Sequence, residues 1–221
     1  MKKLFIVANL KSNKNETEAN SWLESFKKIK DLSQILNEKE VIICPSFTLL
    51  FLFSRFFKEN NLPVKLGAQN VSPFSEGAYT GEVNAKQIKD YADYVLVGHS
   101  ERRNNFNEED ELLSKKVELS CEQGLKPIFL VQGNDNFIPQ AVEIVAYEPI
   151  FAIGSKNPDT PQNANSVANV IKTKGNYQVL YGGSVTSQNV KSFTDEENLN
   201  GVLVGGASLD PDEFVKIIQN A

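Results

Sequence analysis

The chain has 221 residues, of which 41% are hydrophobic and 23% charged, and its net charge is −5. These values are typical of a globular protein with one sizeable core, so we expect a single domain spanning residues 1–221. The negative charge provides no global basic field for nucleic acid or an anionic membrane. We therefore expect neither as a partner, and an anionic ligand would need a local positive site.

The N-terminus and the cysteines predict a cytoplasmic protein. Met1-Lys2-Lys3 begins like a signal peptide, but Asn9 and Lys11 soon end the apolar stretch and no small-residue cleavage pattern follows. Cys44 and Cys121 are too few for a disulfide framework, and both lie in apolar-periodic stretches. We expect both to be buried and reduced.

Short, nearly continuous apolar runs recur along the chain. Runs of this kind fit the strands of a parallel sheet that is covered on its outer face. The predicted strands are Leu4–Ala8, Val41–Cys44, Val64–Ala68, Tyr94–Val97, Pro127–Val131, Ile144–Tyr147, Val179–Tyr181 and Val202–Val204.

Helical patterns lie between most of these runs. Apolar residues line one face after Thr17, a helix opens near Glu108 and stops at Gly124, and Thr160 and Asp210 each precede a proline suited to a first helical turn. Eight strands in βα alternation predict an α/β protein, a (β/α)₈ TIM barrel. A doubly wound sheet is the alternative, but no GxGxxG motif follows the first strand.

The interval between the fifth and sixth predicted strands is unusually short. Only about a dozen residues separate Val131 from Ile144, which is too few for a full helix with two loops, so the fifth helix should be vestigial.

Polar residues at strand ends are the first candidates for a site, because a barrel's active site forms where strands end and βα loops begin. Asn9 and Lys11 follow the first strand, although a lysine there is just as readily a solvated charge. His99 follows the fourth strand and is the only histidine, which excludes a multi-histidine metal site. A lone histidine is usually structural, but at a helix start the dipole disfavours its charged form.

Glu148 ends the sixth strand within a long apolar run. A carboxylate in such surroundings should be partly desolvated, the environment of a general base, unless it points outward at an edge. The following residues, Ile150 to Gly154, predict an apolar flap able to cover a ligand.

Glycine pairs follow the last two strands, Gly182-Gly183 before Ser184 and Gly205-Gly206 before Ala207. Glycine lets backbone N–H groups approach an anion, and barrels often bind phosphate at these two loops. Either pair alone is commonplace, but together they favour a phosphate site.

Six motifs stand in order along the chain: Asn9 to Lys11, Gly77 to Glu82, Gly98 to Arg103, Ala146 to Gly154, Tyr181 to Val185, and Gly205 to Leu209. Together they resemble the triosephosphate isomerase family, and the resemblance spans essentially the whole chain.

The resemblance implies interconversion of dihydroxyacetone phosphate and D-glyceraldehyde 3-phosphate through an enediolate, in glycolysis and gluconeogenesis, without cofactor or metal. Glu148 would move the proton between two carbons, and neutral His99 would polarise the carbonyl, the pattern established for this family. Lys11 would offset the enediolate charge, Asn9 would add a hydrogen bond, and Glu101 would position its neighbours.

The resemblance also implies how the substrate is held. Backbone amides around Gly154, Ser184, Gly205 and Gly206 would bind the phosphate. The flap would form the first part of a lid, residues 151–160, which excludes water when it closes.

Further residues match supporting positions of the family. Tyr147 and Tyr181 match residues that hold the lid open or closed. The family is typically a homodimer, with Thr80 at the tip of the contact loop and Glu82 and Arg102 in an intersubunit ion pair.

This sequence departs from the family pattern at several positions. Leu10 and Phe151 stand where tryptophan is usual, and Leu130 to Gly133 replace a Cys-x-Gly-Glu sequence. The lid tryptophan and its glutamate partner are thus lost together, and phenylalanine leaves no buried donor unpaired. The lid's far end, Asn157-Pro158-Asp159, is also unusual, since proline stiffens it.

Three other readings fit a phosphate-binding barrel. A metal-dependent sugar-phosphate epimerase needs more ligands than one histidine supplies, and a class I aldolase needs a buried Schiff-base lysine. A barrel that has lost activity and serves as a binding protein is the third.

Overall fold

Eight parallel strands close into a barrel in the computed structural model, which describes residues 4–37, 39–152, 154–155 and 157–221. Each strand pairs with its sequence neighbours, and β1 pairs with β8 to complete the ring. The strands are β1 (Phe5–Asn9), β2 (Glu40–Cys44), β3 (Lys65–Ala68), β4 (Tyr94–Val97), β5 (Lys126–Val131), β6 (Ile144–Tyr147), β7 (Gln178–Tyr181) and β8 (Gly201–Val204). All eight agree with the predicted runs to within a residue at each end, and the closed ring rules out a doubly wound sheet.

The helices lie outside the barrel and follow the strands. They are α1 (Glu16–Lys27), α2 (Leu32–Asn37), α3 (Phe47–Glu59), α4 (Ala85–Lys89), α5 (Ser100–Phe106), α6 (Asp110–Glu122), α7 (Pro161–Thr173), α8 (Val190–Thr194) and α9 (Pro211–Asn220). Short 3₁₀ turns span Ile150–Ala152 and Gly206–Leu209. Thr160 and Asp210 cap α7 and α9 with their side-chain oxygens, and a proline occupies the first turn of each, as predicted.

Alternation along the strands divides the core into two layers. In β5, Ile128 and Leu130 face the barrel interior, whereas Phe129 and Val131 face the surrounding helices. Both sets are fully buried. Polar residues can therefore reach solvent only at the strand ends, where the candidate site residues lie.

No helix forms between β5 and β6, so the predicted loss of the fifth helix is confirmed. Residues 132–143 make a loop of bends and turns. The outward-facing Phe129, Val131 and Val145 are still 0% exposed, and they share one apolar cluster with Val142 of the loop and with residues of α6 and α7. The loop and the flanking helices thus cover the face that a helix would have covered.

The two cysteines are free, as expected, but only one is buried. Cys44 lies inside the barrel, where burial raises the pKa of its thiol far above the usual range. Cys121 is half-buried rather than buried, because it faces the short β5–β6 loop, with its Sγ 3.9 Å from the Ala141 carbonyl oxygen.

None of the helices in the described part of the chain is long and apolar enough to cross a membrane. The described residues also contain no cluster of three or more histidine, cysteine or carboxylate side chains suited to a metal ion.

Candidate active site

A strained turn at the end of β1 places Lys11. Its backbone adopts φ 52°, a left-handed conformation that costs about 1–2 kcal/mol for a residue other than glycine. The Asn9 side chain supports this turn, since its Oδ1 accepts the Lys11 N–H at 3.0 Å. Gln69, which directly follows β3, also supports the turn by donating its Nε2 to the carbonyl oxygens of Lys11 (2.9 Å) and Cys44 (2.8 Å).

The Lys11 ammonium group lies 2.5 Å from Oε1 of Glu101. Both side chains are partly exposed, so solvent screens the ion pair and it adds little to stability. Its main effect is to fix the position of the Lys11 charge. Glu101, Arg102 and Arg103 each have a fixed charged partner, namely Lys11, Glu108 and Asp110 respectively.

His99 connects β4 to α5 and is only 4% exposed. Its Nδ1 accepts the backbone N–H of Glu101 at 3.1 Å, so Nδ1 carries no proton. The proton of the ring therefore sits on Nε2, and the ring is neutral. Nε2 lies 3.2 Å from Oε1 of Glu148.

Glu148 directly follows β6 and is 1% exposed. Its backbone N–H donates to the Val131 carbonyl oxygen at 2.8 Å, which continues the β5–β6 ladder by one step. Its carboxylate contacts His99 and accepts the Ser100 N–H at 3.4 Å. A Cβ at Gly182 would lie 2.9 Å from the Glu148 Cγ, so the glycine after β7 leaves room for this carboxylate.

One cavity of about 700 Å³ brings the principal candidates together at the ends of the strands. It is lined by Lys11, His99, Glu148, Gly154, Ser184, Gly205 and Gly206, among others. Asn9 does not line it, and acts through the Lys11 backbone instead. Tyr147 and Tyr181 do not line it either, and their hydroxyl groups contact Asp159 of the lid.

On the β7 side of this cavity, Ser184 has a left-handed backbone with φ 48°. Its Oγ donates to the Ala152 carbonyl oxygen at 2.6 Å, and the Asn189 side chain donates to the Ser184 carbonyl oxygen at 3.1 Å. A Cβ at Gly154 would meet none of the described residues within 4 Å. The described residues on this side therefore present backbone groups and open space to the cavity.

On the β8 side, a 3₁₀ turn begins at Gly206. Ser208 closes it, because both its N–H and its Oγ donate to the Gly205 carbonyl oxygen, at 2.9 and 2.7 Å. The Trp22 indole N–H of α1 donates to the Ser208 carbonyl oxygen at 3.1 Å in a buried setting. The turn is thus held from outside the barrel.

Comparison with known proteins bears on this arrangement. The family model for triosephosphate isomerase matches residues 4–136 and 134–221. The chain belongs to the triosephosphate isomerase family.

Curated members of the family match over nearly the full length. The triosephosphate isomerase of Dictyoglomus thermophilum is 36% identical over 254 aligned positions, which cover 100% of each chain. That of Aquifex aeolicus is 37% identical over 245 positions, with 96% of this chain and 97% of the relative covered. The two segments matched by the family model meet at residues 134–136, within the loop where the helix between β5 and β6 is missing.

The residues that differ from the triosephosphate isomerase pattern lie in different environments, some buried in the core and some exposed to solvent. Leu10 is 0% exposed and belongs to the outer core, whereas Phe151 is 58% exposed on the lid. At the end of β5, the N–H groups of Gln132 and Gly133 both donate to Asn136 Oδ1. Phe151 leaves no donor unpaired, but the buried Gln132 Nε2 has no hydrogen-bond partner among the described residues.

Two residues of the predicted lid, Ile153 and Lys156, lie outside the described residues. Among the described lid residues, Phe151 is 58% exposed, whereas Ala152 and Asp159 are buried, and Ile150 just before the lid is 63% exposed.

Several supporting residues were missed from the sequence. Gln69 and Trp22 carry no motif, and only their long-range hydrogen bonds, across 58 and 186 residues, reveal their positions. Glu108 and Lys116 form a buried pair 2.5 Å apart beside Arg102. Glu108 was expected only to open a helix, and its role as a paired buried carboxylate had no signal in the local pattern.

Proposed function

We propose that Glu148, His99 and Lys11 carry out the reaction of the family, the interconversion of dihydroxyacetone phosphate and D-glyceraldehyde 3-phosphate. The observation that carries this assignment is the single cavity in which a buried carboxylate, a neutral imidazole and a fixed ammonium group converge on the glycine turns of β7 and β8.

The phosphate group binds at the β7–β8 side of the cavity. The backbone amides around Gly154, Ser184, Gly205 and Gly206 hold its oxygens there, and the ammonium group of Lys11 lines the same cavity. A Cβ at Gly205 would lie 3.4 Å from the Lys11 Cε, so this ammonium stem runs directly beside the phosphate turn.

Proton transfer begins when Glu148 removes a proton from the carbon next to the substrate carbonyl. The carbonyl oxygen takes the place of Glu148 as acceptor of the His99 Nε2 proton, which stabilises the negative charge that develops on this oxygen. Lys11 offsets the charge of the enediolate. Glu148 then returns the proton to the neighbouring carbon, while His99 transfers protons between the two oxygens, so no atom is gained or lost.

Closure of the lid completes the site. Expelling water strengthens the electrostatic contacts inside the cavity and prevents the enediolate from losing phosphate. The apolar side chains of Ile150 and Phe151, now exposed, would lose contact with water as the lid folds down.

A coupled isomerase assay on the wild type and Glu148→Gln tests the assignment. Glutamine keeps the shape of the side chain but cannot accept the proton, so kcat should fall by about 10²–10⁴ or more, with KM changed little. Glu143→Gln is the matched control, because Glu143 is exposed and just precedes the same strand at its opposite end. Absence of turnover in the wild type would refute the proposed reaction, and full turnover in Glu148→Gln would refute the role of Glu148.

We also propose that the active form is a homodimer with Thr80, Glu82 and Arg102 at the contact. Residues 74–82 are exposed without interruption, and Phe74 and Tyr79 in this stretch stack at 4.2 Å while 39% and 44% exposed. Exposed aromatic residues are enriched in interfaces. Sedimentation at assay concentration should give the mass of two chains, and the mass of one chain would contradict the proposal.

A cytoplasmic location is part of the same proposal. It is supported by the two free thiols, which suit a reducing compartment.

A further inference from the structure

We propose that the carboxylate of Asp159 is a positioning residue that fixes the far end of the lid. The role rests on the proposed function, since it concerns the lid over a triose phosphate. It is distinct from the chemistry, because Asp159 does not line the cavity.

Burial is the first observation. Asp159 is 9% exposed, although Asn157 and Thr160 on either side of the hinge are exposed. Removing a carboxylate from water costs several kcal/mol unless hydrogen bonds compensate. Burial of the Asp159 carboxylate in the lid therefore requires hydrogen-bond donors that offset the lost hydration.

The partners belong to three different elements. Asp159 Oδ1 accepts the Thr160 N–H at 2.8 Å, and Oδ2 accepts the Asn163 Nδ2 of α7 at 2.7 Å and, more weakly, the Tyr147 hydroxyl of β6 at 3.4 Å. The backbone N–H of Asp159 donates to the Tyr181 hydroxyl of β7 at 2.7 Å. One residue thereby connects the lid to β6, β7 and α7.

The charge of Asp159 acts on Tyr147. Burial first, and then the negative charge and hydrogen bond of Asp159, raise the pKa of Tyr147 to about 12. The hydroxyl therefore keeps its proton at neutral pH and can serve as a donor to the carboxylate.

The hinge is connected directly to the cavity wall. Pro158 lines the cavity, and its ring fixes its own φ while restricting Asn157 to extended conformations. Pro158 directly precedes Asp159, which makes four hydrogen bonds. Those bonds therefore limit how far the stiff proline can move. The position of Asp159 therefore sets the position of Pro158 against the ligand.

The near end of the lid has an anchor of its own. The Ser184 Oγ holds the Ala152 carbonyl oxygen at 2.6 Å. Both ends of the lid are consequently hydrogen-bonded to β7 or to the loop that follows it. The hydrogen bonds of the Asp159 carboxylate then limit the motion of the far end.

The test compares Asp159→Ala, Asp159→Asn and the control Gln162→Ala, an exposed position in the first turn of α7 just outside the lid. Asp159→Ala removes all three side-chain bonds but keeps the backbone bond to Tyr181. We expect kcat/KM to fall about tenfold and the inorganic phosphate released per turnover to rise about tenfold, because an incompletely closed lid lets the enediolate eliminate phosphate. Asp159→Asn should lie between wild type and Asp159→Ala, and Gln162→Ala should match the wild type.

A purely structural role would lower the melting temperature without altering phosphate release per turnover. Unchanged phosphate release in folded Asp159→Ala would therefore overturn the proposal, as would an equal rise in Gln162→Ala.

A second readout needs no turnover and separates this proposal from the proposed function. The only tryptophan, Trp22, is 2% exposed, so Phe151→Trp adds a reporter on the lid against a constant background. Temperature-jump relaxation of this reporter, with inorganic phosphate present, should become at least about threefold faster when Asp159→Ala is added, since lid motions fall on the microsecond to millisecond scale. An unchanged relaxation rate would overturn the proposal even if the isomerase activity were as expected.

Discussion

The two sides of the cavity are built in opposite ways. On the side of β4 to β6, His99 and Glu148 are 4% and 1% exposed, and hydrogen bonds fix both side chains. On the side of β7 and β8, the groups proposed to bind phosphate are backbone groups of Gly154, Ser184 and Gly206. Among the described residues, none lies within 4 Å of a Cβ built at either glycine.

The difference follows from the two tasks. A proton-transfer group must keep one orientation and a low-dielectric environment, which requires a buried side chain held by its neighbours. A phosphate dianion instead needs several donors that approach closely, which the backbone of glycine-rich turns supplies. Changes on the first side should therefore act on kcat and changes on the second side on KM.

His99→Gln should give the larger effect and tests the first side. The glutamine amide can still donate a hydrogen bond, but it cannot exchange protons with the two substrate oxygens. We expect kcat to fall by about 10²–10⁴ while KM changes less than about threefold. Steady-state kinetics in both directions check this, and a rise in KM with unchanged kcat would remove the distinction between the two sides.

The barrel and the placement of the candidate residues at its strand ends could be predicted from the sequence because their signals are local. A buried parallel strand is a continuous apolar run, and the polar candidates follow it within two residues, Glu148 directly after β6 and His99 after Gly98. The missing helix could be predicted from length alone, since 12 residues separate the last residue of β5 from the first of β6.

The supporting contacts could not be predicted, because they join residues far apart in sequence. Nothing near Trp22 indicates that its indole holds the turn after β8, and nothing near Gln69 indicates that its amide supports Lys11. In the sequence, Asp159 is distinguished only as part of the unusual far end of the lid. Its significance depends on two tyrosines that the closed barrel places beside it.

Gly206→Ala should give the smaller effect and tests the second side. A Cβ at this position meets no atom of the described residues within 4 Å, and the backbone there is not left-handed, so the fold should tolerate the methyl group. That methyl would instead occupy space in which the phosphate lies, and weakening one charge-assisted hydrogen bond costs about 1.5–3 kcal/mol. We expect KM and the inhibition constant for inorganic phosphate to rise together by about 10- to 100-fold, with kcat within about threefold of the wild type. If kcat falls instead while phosphate inhibition is unchanged, the turn after β8 does not hold the phosphate, and binding and chemistry are not divided between the two sides of the cavity.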